Sequence, residues 1–149
     1  MSGKLFLSKF INKIDKKFRV SIPSAYRNIL SVNNAINLII YPSIKNKCIE
    51  CCSQEYLERL FNAIKKIDPY TEERDAFETI ILGSAYELTL DNEGRIIIPN
   101  NFVENFNLKE HVSFIGKGEI FEIWNPQNLE KHIENSQKLA KENLLRIKN

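Results

Sequence analysis

The chain is expected to fold as a β-rich α+β protein made of two tandem copies of one unit, joined by a helical hairpin and followed by a C-terminal helix. Three observations predict this. One phrase is written twice, as Asp15-Lys16-Lys17-Phe18-Arg19-Val20-Ser21-Ile22-Pro23 and as Asp91-Asn92-Glu93-Gly94-Arg95-Ile96-Ile97-Ile98-Pro99, with an offset of 76 residues. Short runs of β-branched and aromatic residues bounded by turn formers surround each copy. Between the copies the apolar period changes from that of a strand to that of a helix, which places one repeating unit on each side of a connector.

Taken in order, residues 1–4 read as a loose terminus. From Leu5 to Ile14, Phe6, Ser8, Phe10, Asn12 and Ile14 alternate with Leu7, Lys9, Ile11 and Lys13, which predicts a strand. A turn over 15–18 leads into a second strand over 19–22, and Pro23 suits the first turn of a short helix with Tyr26, Ile29 and Leu30 inward. Asn33-Asn34 marks a turn, and strands are expected over 36–41 and 48–52. Ser53 can cap a helix whose Tyr56, Leu57, Leu60, Phe61 and Ile64 form an apolar stripe. Asp68-Pro69 is expected to stop that helix and cap the next, whose inner side is Ala76, Phe77, Ile80 and Ile81, ending near Gly83. These helices make an αα-hairpin.

The second copy follows the same grammar. Tyr86, Leu88 and Leu90 alternate as a half-buried strand, 91–94 turn, 95–98 form a strand, and Pro99 opens a helix. Gly116-Lys117-Gly118 separates two further strands as a hairpin, and Asn125-Pro126 launches a helix with Leu129, Ile133, Ala140, Leu144 and Ile147 on one side. Laid over each other, the halves match Glu50 with Glu122, with a longer loop in the first. The resulting organisation is repeat 1 over 5–53, a connecting helical hairpin over 54–82, repeat 2 over 83–126 and a terminal helix over 127–149, with the repeats making one compact domain.

Composition narrows the function. With 149 residues, 43% hydrophobic and 27% charged, the chain has the balance of an ordinary globular domain. Its charge of +2 is unevenly spread: residues 1–30 hold seven Lys and Arg against Asp15 alone, leaving fourteen basic against eighteen acidic residues elsewhere. A local +6 around the first phrase points to a polyanionic partner. No run approaches the length of a membrane span, and the N-terminus lacks the apolar core of a secretory signal. Cys48, Cys51 and Cys52 make no disulfide framework and read as small buried residues of a protein in a reducing cytoplasm.

In each phrase the Asp can accept hydrogen bonds from amides two or more residues on, fixing the turn. The Arg that closes the turn has a planar guanidinium suited to grip a phosphate or the O6/N7 edge of guanine at two points. Lys13, Lys16 and Lys17 would add sequence-independent attraction to a nucleic-acid backbone. Pairing of Asp with Arg inside the turn is the structural alternative, but an exposed ion pair contributes little and does not require Arg twice.

The doubled Asp-x-x-x-Arg-(β-run)-Pro frame, with Leu82-Gly83-Ser84-Ala85 and Phe121-Glu122-Ile123-Trp124 flanking it, resembles the MraZ family, the two-repeat member of the AbrB/SpoVT group. The likeness runs from about Phe6 to Ile133. It implies a double swapped-hairpin, or double-split, β-barrel from two AbrB-like repeats, and ring-like homo-oligomers. It also implies sequence-specific binding to direct repeats in promoter double-stranded DNA, in the cytoplasm at the nucleoid, regulating and repressing a division and cell-wall gene cluster. Carried over by position, Arg19 and Arg95 become the reading residues and Asp15, Asp91 and Gly94 the turn organisers. Phe18 departs from the frame, standing where Gly94 stands in the second copy. A Phe is costly at a left-handed position, so the first turn is expected to be reshaped with its ring exposed at the tip. The basic first copy is expected to hold most DNA affinity, and the second to serve the barrel.

Other classes fit less well. His111 and His132 lie in different elements without a metal-ligand spacing, and His132 between Glu130 and Glu134 reads as part of a solvated helix face. Gly116-Lys117-Gly118 is too short for a phosphate loop, and no nucleophile elbow or dinucleotide fingerprint occurs. We therefore expect no enzyme, no cofactor, no metal and no small-molecule substrate. An AbrB/MazE-like antitoxin would want a disordered toxin-binding tail, where a patterned helix stands instead. A structural assembly protein would use the helical stripes as its interface.

Overall fold

The computed structural model describes residues 5–32 and 37–148. The expected loose terminus at 1–4, the Asn33-Asn34 turn and the start of the third strand at Ile36 lie outside the described residues. The strands are β1 (Lys9–Lys13), β2 (Arg19–Ser21), β3 (Asn37–Pro42), β4 (Ile49–Cys52), β5 (Tyr86–Thr89), β6 (Arg95–Ile97), β7 (His111–Gly116) and β8 (Phe121–Trp124). The helices are α1 (Ser24–Val32), α2 (Gln54–Lys65), α3 (Glu72–Phe77), α4 (Asn100–Asn105), α5 (Pro126–Glu142) and α6 (Leu145–Lys148). A π-helical turn, Glu78–Leu82, continues α3.

Six strands form one antiparallel sheet in the order β1-β7-β8-β4-β3-β5, and β2 pairs with β6 in a separate two-stranded ribbon. The first strand of each half leaves its own half. β1 pairs with β7 of the second half, while β5 pairs with β3 of the first. The sheet is symmetric about the β4–β8 contact, where Glu50 lies directly opposite Glu122. The ribbon is symmetric about Val20 opposite Ile96. Reciprocal bonds hold its ends, from Ile22 N to Gly94 O at 3.0 Å and from Ile98 N to Phe18 O at 2.8 Å. These exchanges make the swapped-hairpin fold.

The main core lies between ribbon and sheet. Val20, Ile22, Ile96 and Ile98 point into it and are at most 1% exposed. Tyr26 sits at its centre, its ring 4.6 Å from Phe121 and 5.4 Å edge-on to Phe6, and its hydroxyl donates to Ser8 O at 2.8 Å. Burial of each such side chain contributes about 1.5–3 kcal/mol. A second cluster, with Ile39, Tyr41, Cys52, Ile64 and Ile81, fills the space between β3 and the helical hairpin. Covered on both faces, β3 is apolar from Leu38 to Tyr41 without alternation.

Local structure follows the sequence at most ends and departs from it at a few. Ser53 accepts from Tyr56 N, and Asn125 from Asn128 N, as N-caps of α2 and α5. Asp68 does not cap α3: its carboxylate accepts from Tyr70 N in the preceding turn, and Thr71 takes the cap position by accepting from Arg74 N. The π-helical turn adds a residue to the helical repeat. Ile81 and Leu82 therefore face the core, while Ile80 of the expected stripe is exposed. Ordered β pairing begins later than expected, at Lys9, with Phe6 making a single bridge to Gly118. Cys48, Cys51 and Cys52 are free and buried, and burial pushes the Cys52 thiol up to about 12. His132 is half-buried and not fully solvated: its ring stacks on Trp124 at 4.8 Å, where α5 follows β8 and packs against β7.

Candidate nucleic-acid interface

The two phrases fold into brackets with the same hydrogen-bond pattern. Asp15 N donates to Arg19 O at 3.0 Å and Phe18 N to Asp15 O at 3.0 Å; Asp91 N donates to Arg95 O at 2.9 Å and Gly94 N to Asp91 O at 3.0 Å. Asp15 Oδ1 accepts from the amides of Lys17 and Arg19, both at 2.9 Å, as Asp91 Oδ1 does from Glu93 and Arg95. The second carboxylate oxygen takes the guanidinium Nε, at 2.8 Å for Arg19 and 2.9 Å for Arg95. Both carboxyls are held below the usual carboxylate range, chiefly by the Arg amide and also by the guanidinium. In turn Asp91 raises Arg95 above the ordinary guanidinium value.

The structural pairing of Asp with Arg is formed in both copies, and it leaves part of each guanidinium uncommitted to its Asp. Each Asp engages Nε alone, so the terminal Nη1/Nη2 edge of the guanidinium points away from its own carboxylate. Such an edge is the two-pronged donor that matches a phosphate or guanine O6/N7. The Asp thereby fixes the direction of the fork.

The ribbon register puts both forks on one surface. Arg19 lies opposite Ile97 and Ser21 opposite Arg95, so these four share the outer face while Val20 and Ile96 fill the inner one. The two Arg are diagonal neighbours, a spacing of roughly 7–8 Å. Lys13, Lys16 and Lys17 are exposed beside the first turn and, among the described residues, none is ion-paired. Around the second turn the field is less positive, because Glu93 comes within 3.6 Å of Arg95 Nη1.

Phe18 does not reshape its turn. It adopts φ +64° where Gly94 has φ +77°, and every bracket bond is retained. Its ring is half-buried against the main core and does not stand exposed at the tip. Packing therefore offsets the backbone strain. Ser21 and Ile97 were missed as part of the outer face. The alternation Val20-in, Ser21-out could have revealed them, but the unbroken Ile96-Ile97-Ile98 run conceals the same alternation in the second copy.

Comparison with known proteins agrees with the doubled frame. The family model described as "MraZ protein, putative antitoxin-like" matches residues 81–146. The chain is 49% identical over 145 residues to a protein named transcriptional regulator MraZ from Rickettsia canadensis (strain McKiel), covering 97% of each. It is 50% identical over 146 residues to a protein of the same name from Rickettsia bellii (strain OSU 85-389), again covering 97% of each. This chain belongs to the MraZ family. In this chain the Asp15–Arg19 and Asp91–Arg95 brackets are both formed, with Phe18 accommodated in the first.

Proposed function

We propose that this MraZ-family chain is a sequence-specific DNA-binding transcriptional regulator that represses its own division and cell-wall gene cluster. It acts without catalysis, at the nucleoid, as a ring-like homo-oligomer on direct repeats in the promoter. The observation that carries this reading is the pair of Asp-locked Arg forks, Arg19 and Arg95, on the outer face of one β-ribbon. A two-stranded ribbon fits the major groove, where Arg can take guanine in bidentate fashion. Lys13, Lys16 and Lys17 supply attraction to phosphate around it. The ring reading is supported by apolar surface that the chain leaves uncovered on its C-terminal helices, at Leu139, Leu144, Leu145 and Ile147. Several protomers on successive repeats turn weak contacts into firm binding. The antitoxin reading wants an extended tail, whereas nearly all of residues 126–148 are helical.

The test is a gel shift on the chain's own upstream region across a salt series. Wild type should show a steep fall in affinity with salt, and Arg19→Ala and Arg95→Ala should each weaken specific binding on the order of ten- to a hundredfold. Unchanged affinity in the folded double variant would remove these residues from the interface. Monomer alone at micromolar concentration in light scattering would remove the ring.

A further inference from the structure

The ribbon's outer face carries a large apolar residue among its charges. Ile97 is 59% exposed, lies directly opposite Arg19 and is two positions from Arg95 on its own strand. The fold does not need it there: the strand's inner positions, Ile96 and Ile98, already fill the core at 1% and 0% exposure. In the first half the equivalent place, 76 residues earlier, is Ser21. The halves therefore match in their forks and differ between them.

We propose that Ile97 is a specificity-determining residue that reads the C5-methyl group of thymine in the major groove. The inference rests on the ribbon binding DNA as argued above. Thymine is the one ordinary base with an apolar group on its major-groove edge, and a β-branched side chain between two forks gripping guanine or phosphate is brought against that edge. Ser21 in the matching position offers a hydroxyl that can donate or accept, and so favours no single base. One protomer thus presents two unlike half-faces, which orients it on an asymmetric repeat.

The test is a titration of the native upstream duplex and of the same duplex with deoxyuridine for thymine, which keeps pairing and O4 and removes only the methyl. Wild type should bind the uracil duplex at least about threefold more weakly, the value of roughly one buried methyl. Ile97→Ser should lose a similar factor on thymine DNA and show no further loss on uracil DNA. Ile97→Val, which keeps the branched apolar surface, should retain the methyl dependence, and Ser21→Ile should increase it. An equal uracil penalty in wild type and Ile97→Ser overturns the proposal, as does undiminished binding by Ile97→Ser. A change in oligomer size with Ile97→Ser and no methyl dependence in wild type also overturns it, assigning Ile97 to contact between copies. Failure of wild type to prefer its upstream region over a scrambled duplex is a different result, which removes the DNA-reading function itself.

Discussion

The side chain of Arg27 lies across the backbone of Gly94, filling the space into which a Cβ at position 94 would project. Arg27 is anchored there by donation from Nη1 to Ile22 O at 3.1 Å. In the other half the corresponding residues are Val103 and Phe18, both in contact with the main core. Between these equivalent positions the two halves divide side-chain volume in opposite ways. A small turn residue meets a long Arg in one, and a large turn residue goes with a short Val in the other.

Gly94→Ala meets two obstacles, the left-handed φ of +77° and the Arg27 side chain. The backbone alone should cost about 1–2 kcal/mol. Adding Arg27→Ala should recover the steric part and leave the backbone part. Denaturant unfolding of the single and double variants measures both. A Gly94→Ala protein as stable as wild type would show that the turn is not held as described.

Acid should loosen both brackets together. Asp15 and Asp91 have folded-state pKa values below the ordinary 3.8, so their contribution is fully present above that value. It is lost as pH falls through the lower folded values, because the unfolded chain takes up protons first. Unfolding midpoints measured from pH 5 downwards should fall more steeply for wild type than for Asp15→Asn/Asp91→Asn, with the two curves converging at the acid end. Parallel curves would deny the carboxylates this role.

Much of the fold can be read from residues that act locally. Ser53 and Asn125 cap helices because their side chains reach amides three residues on, and Gly116-Lys117-Gly118 turns a hairpin where Gly118 takes φ +87°. The match of Glu50 with Glu122 shows up as a cross-strand pair. The strand exchange is another matter. Self-similarity is the same whether β1 pairs within its own half or with β7, so the residues alone do not choose, and only the family resemblance pointed to a swap. The phase shift at Glu78–Leu82 and the stacking of His132 on Trp124 likewise depend on distant packing. At the candidate site the brackets were legible from spacing, whereas the facing of Ile97 was hidden by its apolar neighbours and the support of Phe18 by core contacts distant in sequence.

Glu122 gives the last prediction. It is buried at 2% exposure, lies opposite Glu50 at the centre of the sheet, and accepts from Trp124 Nε1 at 2.9 Å. Lys117 Nζ stands 3.9 Å from the same oxygen. Glu122→Ala leaves the indole N–H without this acceptor inside the protein, which should cost about 1–3 kcal/mol. Glu122→Gln keeps an acceptor oxygen and removes a charge that faces Glu50, so it should cost clearly less. Trp124 is the single Trp of the chain, so its fluorescence reports this site alone during unfolding. Equal destabilisation by the Ala and Gln variants would mean that charge, and not the indole hydrogen bond, is what Glu122 contributes at the symmetric centre of the fold.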